Sequence, residues 1–383
     1  MNRLEYDNPA HIDDRQWASL STGGNPFMLR EFHVALFETG CTGGDSGWDP
    51  ALIGVTQSSD PDAPLLALAP TYLKYHSYGE YVFDWAWANA YQRSGLRYYP
   101  KLVAAAPFSP VTGSRLLLHA DHNTDDTLIR LADATRDFAA EHRLSSIHWL
   151  FATEAETRRL EAKNWMVRTG CQFHWHNAGY RDFDAFLAEF ASKKRKNVKR
   201  ERRHVVEAGI RTEMIPGPHV DADTWSRFYR FYLSTAYKRG GSPYLTEAFF
   251  HRIGRTLGER VQLLVAHRGQ AMVAAALYFR GDDCLYGRYW GCEQELDSLH
   301  FECCYYAPIE YCIRTGIDRF EAGAQGEHKL SRGLVPTTTW SAHWLAHPQF
   351  ADAVAQFLAE ERTHVAQYMN VLDEHAPFRR TTD

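Results

Sequence analysis

Apolar and polar positions follow two distinct periods along this chain. The clearest helical period covers residues 127–142. There Leu128, Leu131, Ala132, Thr135, Phe138 and Ala139 recur at spacings of three and four and form one face. Segments 153–164, 183–190, 224–238, 246–258, 301–315 and 350–372 read the same way, with Pro308 placed to kink its helix. Asn25-Pro26 opens a further helix over 27–37. Strand-length apolar runs occupy 51–57, 65–75, 147–151, 171–177 and 210–215. Three more strands, 261–267, 270–280 and 284–291, are joined by the turns Arg268-Gly269 and Gly281-Asp282-Asp283. Short strands at 319–322 and 343–345 complete the pattern.

Each half thus runs helix, antiparallel strands, helix, strand. The expected fold class is mixed α/β (α+β), with one domain over 1–178 and a second over 179–383 that keeps the C-terminal helix. At 45% hydrophobic and 23% charged residues, the chain can bury two cores. No run of about 18 apolar residues predicts a spanning helix. The first residues lack the apolar segment of a signal peptide, so a cytoplasmic protein is expected.

A net charge of −5 argues against a globally basic nucleic-acid binder. The charge is uneven, however. Residues 193–203 hold eight Lys/Arg and one Glu. On a helix, Lys193, Lys196 and Arg200 share a face and Lys199 lies on another. Such a run suits a polyanion: tRNA, an anionic lipid-linked precursor or an anionic membrane surface. A solvated helix is the plainer alternative. None of the seven cysteines has CxxC spacing, so no metal site is expected.

Several segments carry a resemblance. They are Leu285-Tyr-Gly-Arg-Tyr-Trp-Gly291, His300-Phe-Glu302 and the glycine-rich 323–333, with Tyr72–Glu80 and Tyr98-Tyr-Pro-Lys101 in the first half. Together they resemble the FemAB-like proteins, in which two acetyltransferase-like (GNAT-type) domains stand in tandem. The likeness spans roughly residues 26–375. It implies N-acyl transfer, by analogy with Fem enzymes that move an amino acid from aminoacyl-tRNA to a cell-wall precursor peptide. No tightly bound cofactor is implied; the donor is aminoacyl-tRNA or acyl-CoA, and the acceptor a small-molecule or peptide amine. Two alternatives stand beside this reading. One is a non-catalytic module that binds peptidoglycan precursors, and the other an acyl-CoA-dependent N-acetyltransferase of a small amine. GNAT enzymes hold the CoA pyrophosphate on a glycine-rich turn at a helix N-terminus. Here the matching junction, 291–300, contains Glu293, Glu295 and Asp297, and carboxylates repel a pyrophosphate.

Acyl transfer to an amine needs a proton acceptor and donors for the developing oxyanion. Glu327, His328 and Lys329 lie among Gly323, Gly326 and Gly333, with Arg332 nearby; Glu327 is the expected base and His328 its competitor. His300 and Glu302 fall at a helix start, where Ser298 is the expected N-cap and Glu302 a further candidate base. In a regular strand Tyr286, Arg288 and Trp290 share a face, a setting for an anionic partner. Lys74, Tyr78, Glu80 and Asp84 crowd one aromatic segment and read as a pocket wall, or as a Lys74–Glu80 ion pair.

Overall fold

The computed structural model describes residues 2–58, 63–238, 240–324 and 326–379. The chain forms two compact units. One comprises Met1–Gly170 with Thr338–Ala366, and the other Cys171–Thr337 with Gln367–Asp383. The single division expected after residue 178 therefore becomes three crossings. The cause is long-range pairing: Trp340–Leu345 lie antiparallel to Ser146–Ala152, which draws the chain back to the first unit. The expected strand at 343–345 is the end of a longer one, Val335–Leu345.

In the first unit, strands Asn2–Tyr6, Leu52–Thr56, Leu65–Ala69, Leu117–His119 and Leu20–Ser21 pair in that order, all antiparallel. Trp48–Pro50, Thr71–Lys74 and Lys101–Ala104 form a second antiparallel run. Its last member lies parallel to Ser146–Ala152. Between these two parallel strands comes helix Asp125–Glu141. Thr124 caps it by accepting the Thr127 N–H at 3.2 Å. Its predicted apolar face is buried with Ile53, Val55, Ala67, Ile147 and Trp149. That burial, more than intrinsic propensity, explains why the helix was legible.

The second unit repeats the plan. Ile210–Pro216, Val261–Arg268, Ala271–Arg280 and Cys284–Cys292 form an antiparallel meander. A helical stretch follows, and then Arg319–Glu321 runs parallel to the last meander strand. Pairing of these two covers only Cys284↔Arg319, Leu285↔Phe320 and Tyr286↔Glu321, and past that point they are no longer bonded. The helical stretch is not uniform. Leu299–Phe301 is α, Glu302–Tyr306 is a π-turn, and Ala307–Thr315 is α again. Pro308 lacks an N–H, and the wider turn just before it accommodates the missing bond. Ser298 does not cap this helix. It takes a left-handed conformation (φ 64°) and makes no side-chain capping bond.

One expectation about the meander fails for a specific reason. Tyr278 pairs with Gly287 but Leu277 pairs with Tyr289, so Arg288 is an extra, bulged residue. The alternation shifts by one there. Tyr286 falls on the side of Tyr289, whose ring meets Tyr232 and Phe250, while Trp290 takes the opposite side and meets His300. Tyr286, Arg288 and Trp290 do not share one face. Among the described residues, no helix is long and apolar enough to cross a membrane.

Candidate functional site

The strongest site in the second unit lies just beyond the last paired residues of its two parallel strands. Gly323 follows Glu321 with a left-handed φ of 82°, and a Cβ there would stand 4.0 Å from the carbonyl oxygen of Gly287. The six-residue helical turn Glu327–Arg332 comes next. Lys329 is buried within it, and its Nζ donates to the Gly323 carbonyl at 2.6 Å. Among the described residues no carboxylate pairs with it. Burial, reinforced by the positive charge of Arg288, lowers its pKa to about 7. The neighbouring His328 ring shares a hydrogen bond with the Tyr305 hydroxyl at Nε2, 2.8 Å. Desolvation and the charges of Arg332 and Lys329 hold its pKa below the ordinary imidazole value. His300 completes the aromatic lining, with its ring 5.4 Å from Trp290, 5.5 Å from Tyr305 and 6.2 Å from His328.

Glu302, Arg332 and Glu327, also expected here, each have partners of their own. Glu302 is buried and grips Arg202 through both oxygens, at 3.0 and 3.1 Å. Arg202 also reaches Glu310 at 2.7 Å. Burial raises the Glu302 pKa and Arg202 opposes that shift, but the carboxylate is already occupied. Arg332 contacts both Glu201 oxygens at 3.1 Å, donates to the His328 carbonyl at 2.8 Å, and lies 3.4 Å over the Phe301 ring. It holds the Lys329 turn in place. Glu327 is exposed, and its carboxylate accepts the Tyr368 hydroxyl at 2.7 Å.

The basic run forms helix Ser192–Glu207. Val198 and Val205 are buried, and Glu201 and Arg202 are the residues that bind inward. Lys193, Lys196, Lys199, Arg200 and Arg203 are exposed. Lys199 pairs with Asp184 at 2.9 Å, and Arg203 with Glu207 at 3.7 Å. Among the described residues, Lys193, Lys196 and Arg200 form no ion pair.

The first unit contains a buried polar network instead of an open pocket wall. Lys101 is fully buried and donates to Ser77 (2.9 Å), Glu80 (2.8 Å) and Asp84. Tyr98 also donates to Asp84, and His148 stands 3.8 Å from the same oxygen. His148 in turn meets His343 at 2.7 Å. Burial would raise Asp84, but Lys101, His148 and the bonds from Lys101 and Ser77 prevail and hold it low. Glu80 goes the other way. Its burial lifts it to about 7 despite Lys101, and its Oε1 has no hydrogen-bond partner among the described residues. The proposed Lys74–Glu80 pair is absent. Lys74 donates to the carbonyls of Gly47 (3.2 Å) and Tyr78 (3.3 Å), and its Nζ sits 3.9 Å from the Trp48 ring centroid. Desolvation lowers its pKa to about 7. Of the expected wall only Tyr78 is exposed, at 57%.

Sequence reasoning overlooked Lys101, His148, His343, Tyr305 and Glu201 as site residues. Glu201 did leave a signal, as the only acid among eight cations. Among the described residues, no cluster of His, Cys, Asp and Glu could hold a metal ion.

Two GNAT-like α/β units in tandem, the second with a buried lysine just past the paired residues of its parallel strands, describe the class. The chain belongs to the FemAB-like family, described as peptidoglycan biosynthesis/recognition, whose model matches residues 8–380. The crystal structure of FemX is similar at 11% identity, covering 93% of this chain and all of that one, with a TM-score of 0.54. A conserved protein of unknown function from Bacteroides thetaiotaomicron shares 12% identity over 89% of this chain and 99% of its own, TM-score 0.51. L-PGS from Bacillus licheniformis shares 10% over 85% and 95%, TM-score 0.50. At these identities the likeness is one of fold. No curated protein sequence matches the chain.

Proposed function

We propose that this protein is a Fem-type N-acyltransferase whose second unit transfers an acyl or aminoacyl group to an amine, the acceptor being a peptidoglycan-precursor peptide. The observation that carries this reading is Lys329: a buried amine, unpaired with any carboxylate among the described residues, just past the last paired residues of the parallel strands. In its protonated form it meets the negative charge that develops on the carbonyl oxygen as the amine attacks. Desolvation and the neighbouring cations favour the neutral form of His328, which can accept the proton that the amine loses. Tyr305 orients that imidazole. Arg332 and Glu201 position the turn, and Glu302 anchors Arg202 rather than acting as base.

Charge supports one donor over the other. Glu293, Glu295 and Asp297 are exposed at the junction where a GNAT enzyme would seat a pyrophosphate. Glu295 is 3.2 Å from Lys238 and Asp297 is 2.9 Å from His204. This acidic turn disfavours acyl-CoA and favours an aminoacyl-tRNA, whose phosphates the Lys193–Lys196–Arg200 ridge would attract. Such a donor places the reaction in the cytoplasm.

The test is transfer to a precursor peptide from aminoacyl-tRNA and, separately, from acetyl-CoA. Lys329→Met should reduce turnover by about 10²–10³-fold, the usual worth of one oxyanion donor. Its thermal stability should hold or rise, because an unpaired buried cation is removed. Full activity in that variant refutes the assignment. Precursor binding without transfer from either donor would instead favour the non-catalytic module.

A further inference from the structure

We propose that His174 and Glu321 form a subsite for the α-ammonium group of an aminoacyl donor, through which the second unit selects aminoacyl over plain acyl groups. The inference rests on the transfer reading and adds the residues that choose the donor. Glu321 pairs with His174 of strand Met166–His176 on one side and with Tyr286 on the other. Residues directly opposite in a sheet point to the same face, so these three side chains form one row across the strands. Their neighbours Phe173, Trp175, Leu285 and Phe320 alternate to the other face and pack in the core of the unit. His174, Glu321 and Tyr286 are only 1, 2 and 3% exposed. A buried polar row, where apolar side chains would otherwise pack, is costly unless its groups find partners.

His174 lacks one such partner. Its Nε2 lies 3.1 Å from Gln172 Oε1. An amide oxygen only accepts, so Nε2 carries the proton and Nδ1 is left as a bare acceptor. Nδ1 is buried and has no hydrogen-bond partner among the described residues. Desolvation, with the cationic Arg319, His176 and Lys329 nearby, holds the ring well below the ordinary imidazole value and favours its neutral form. Arg319 stands 3.7 Å from Glu321, against 3.0 and 3.1 Å between Arg202 and Glu302. A carboxylate offers about four acceptor sites, so Arg319 alone does not saturate it.

Position links the row to the transfer site. Gly323, whose carbonyl holds the Lys329 amine, lies two residues beyond Glu321. Trp290 takes the sheet face opposite to Tyr286, and His300 and then His328 follow from it ring to ring. Lys329 thus stands at the strand ends, with the His328 imidazole toward one face and the row toward the other. A donor carbonyl held at Lys329 has its α-carbon one bond away. An ammonium on that carbon supplies the hydrogen that Nδ1 lacks and the charge that Glu321 complements, while the acceptor amine approaches from the His328 side. An acetyl group brings no hydrogen-bond donor and leaves Nδ1 bare, at the cost of a buried unsatisfied group.

The test uses the full chain with a precursor peptide as acceptor. Seryl-, alanyl- and glycyl-tRNA are compared as donors with the same tRNAs deaminated to their α-hydroxyacyl esters, which keep the size and the ester but lose the charge. The hydroxyacyl donors should be used about 10–100-fold less well in kcat/KM, the worth of a hydrogen bond to a charged group. Glu321→Gln should reduce that preference about tenfold, and with His174→Leu added the ratio should approach one. Both donors are compared on one protein, so a partly unfolded variant lowers both rates and leaves their ratio intact. Equal use of the two donor forms by the native chain overturns the subsite and leaves the transfer reading standing. A preference that survives in the double variant does the same, as does transfer from acetyl-CoA at the rate of the aminoacyl donors. No transfer from any donor refutes the transfer reading itself, and the subsite falls with it.

Discussion

Replacing Lys101 by Met tests the buried network of the first unit most directly. Lys101 has no solvent exposure and bonds Ser77, Glu80 and Asp84 at once. Methionine fills similar volume but leaves two buried carboxyl groups with no cation between them. Breaking a buried ion pair from one side costs about 3–5 kcal/mol. For a unit of this size each kcal/mol lowers the melting temperature by roughly 2–4 °C, so a drop of roughly 6–20 °C follows. The pH dependence has a definite sign. In the native protein Asp84 is held below its ordinary value, so its contribution is present at neutral pH and lost only as pH falls through that depressed value. Without Lys101, burial dominates and lifts Asp84 above its unfolded value. The variant is then penalised increasingly as pH rises. Thermal unfolding of both proteins by circular dichroism between pH 5 and pH 8.5 measures this. A loss under about 1 kcal/mol, or a loss larger at pH 5 than at pH 8.5, would refute the argument.

Other outcomes follow from the same structure. The Glu80 carboxyl is raised to about 7, so its contribution is full below the unfolded value and fades as pH climbs to about 7. Glu80→Gln should therefore gain on the native protein across that window, as compared by melting temperature. Gly291→Ala would drive a methyl group into the backbone of Phe231 and should cost about 1–3 kcal/mol in chemical denaturation. Replacing Lys193, Lys196 and Arg200 together with Ala should weaken binding of aminoacyl-tRNA and flatten its salt dependence, read from filter binding at several salt concentrations. His328→Gln should lower transfer by about 10²–10⁴-fold, and the acid limb of the native pH–rate profile should lie below the usual imidazole range.

Local periodicity made most elements legible, because their apolar faces are buried where the pattern places them. The helix over Asp125–Glu141 and the meander 261–292 are read within a few residues of their ends. The bulge at Arg288 was not legible. A one-residue slip leaves no mark in composition, yet it sends Tyr286 and Trp290 to opposite sides. The return of Thr338–Ala366 to the first unit depends on partners nearly two hundred positions away, beyond any local window. For the site, glycine spacing drew attention to 323–333, and Lys329 and His328 do lie together there. Roles inside that cluster depended on burial. Glu327 and His328 are exposed, Glu327 bonding Tyr368 and His328 bonding Tyr305, whereas Lys329 is enclosed. Lys74 and Glu80 look like natural partners in sequence, but Lys101, twenty-one residues on, reaches Glu80 instead.

The interleaved chain path bears on how the protein can be made and cut. Neither unit is a continuous stretch: the first needs Thr338–Ala366, and the second needs Gln367 onward, where Leu372 and Phe378 pack with its core. During synthesis both cores therefore remain unfinished until the closing segment emerges. A fragment ending at residue 178 would leave Ser146–Ala152 without its Trp340–Leu345 partner, an open strand edge inviting aggregation. Expressing either half alone calls for a circularly permuted or spliced design that restores the missing segment, rather than a simple truncation.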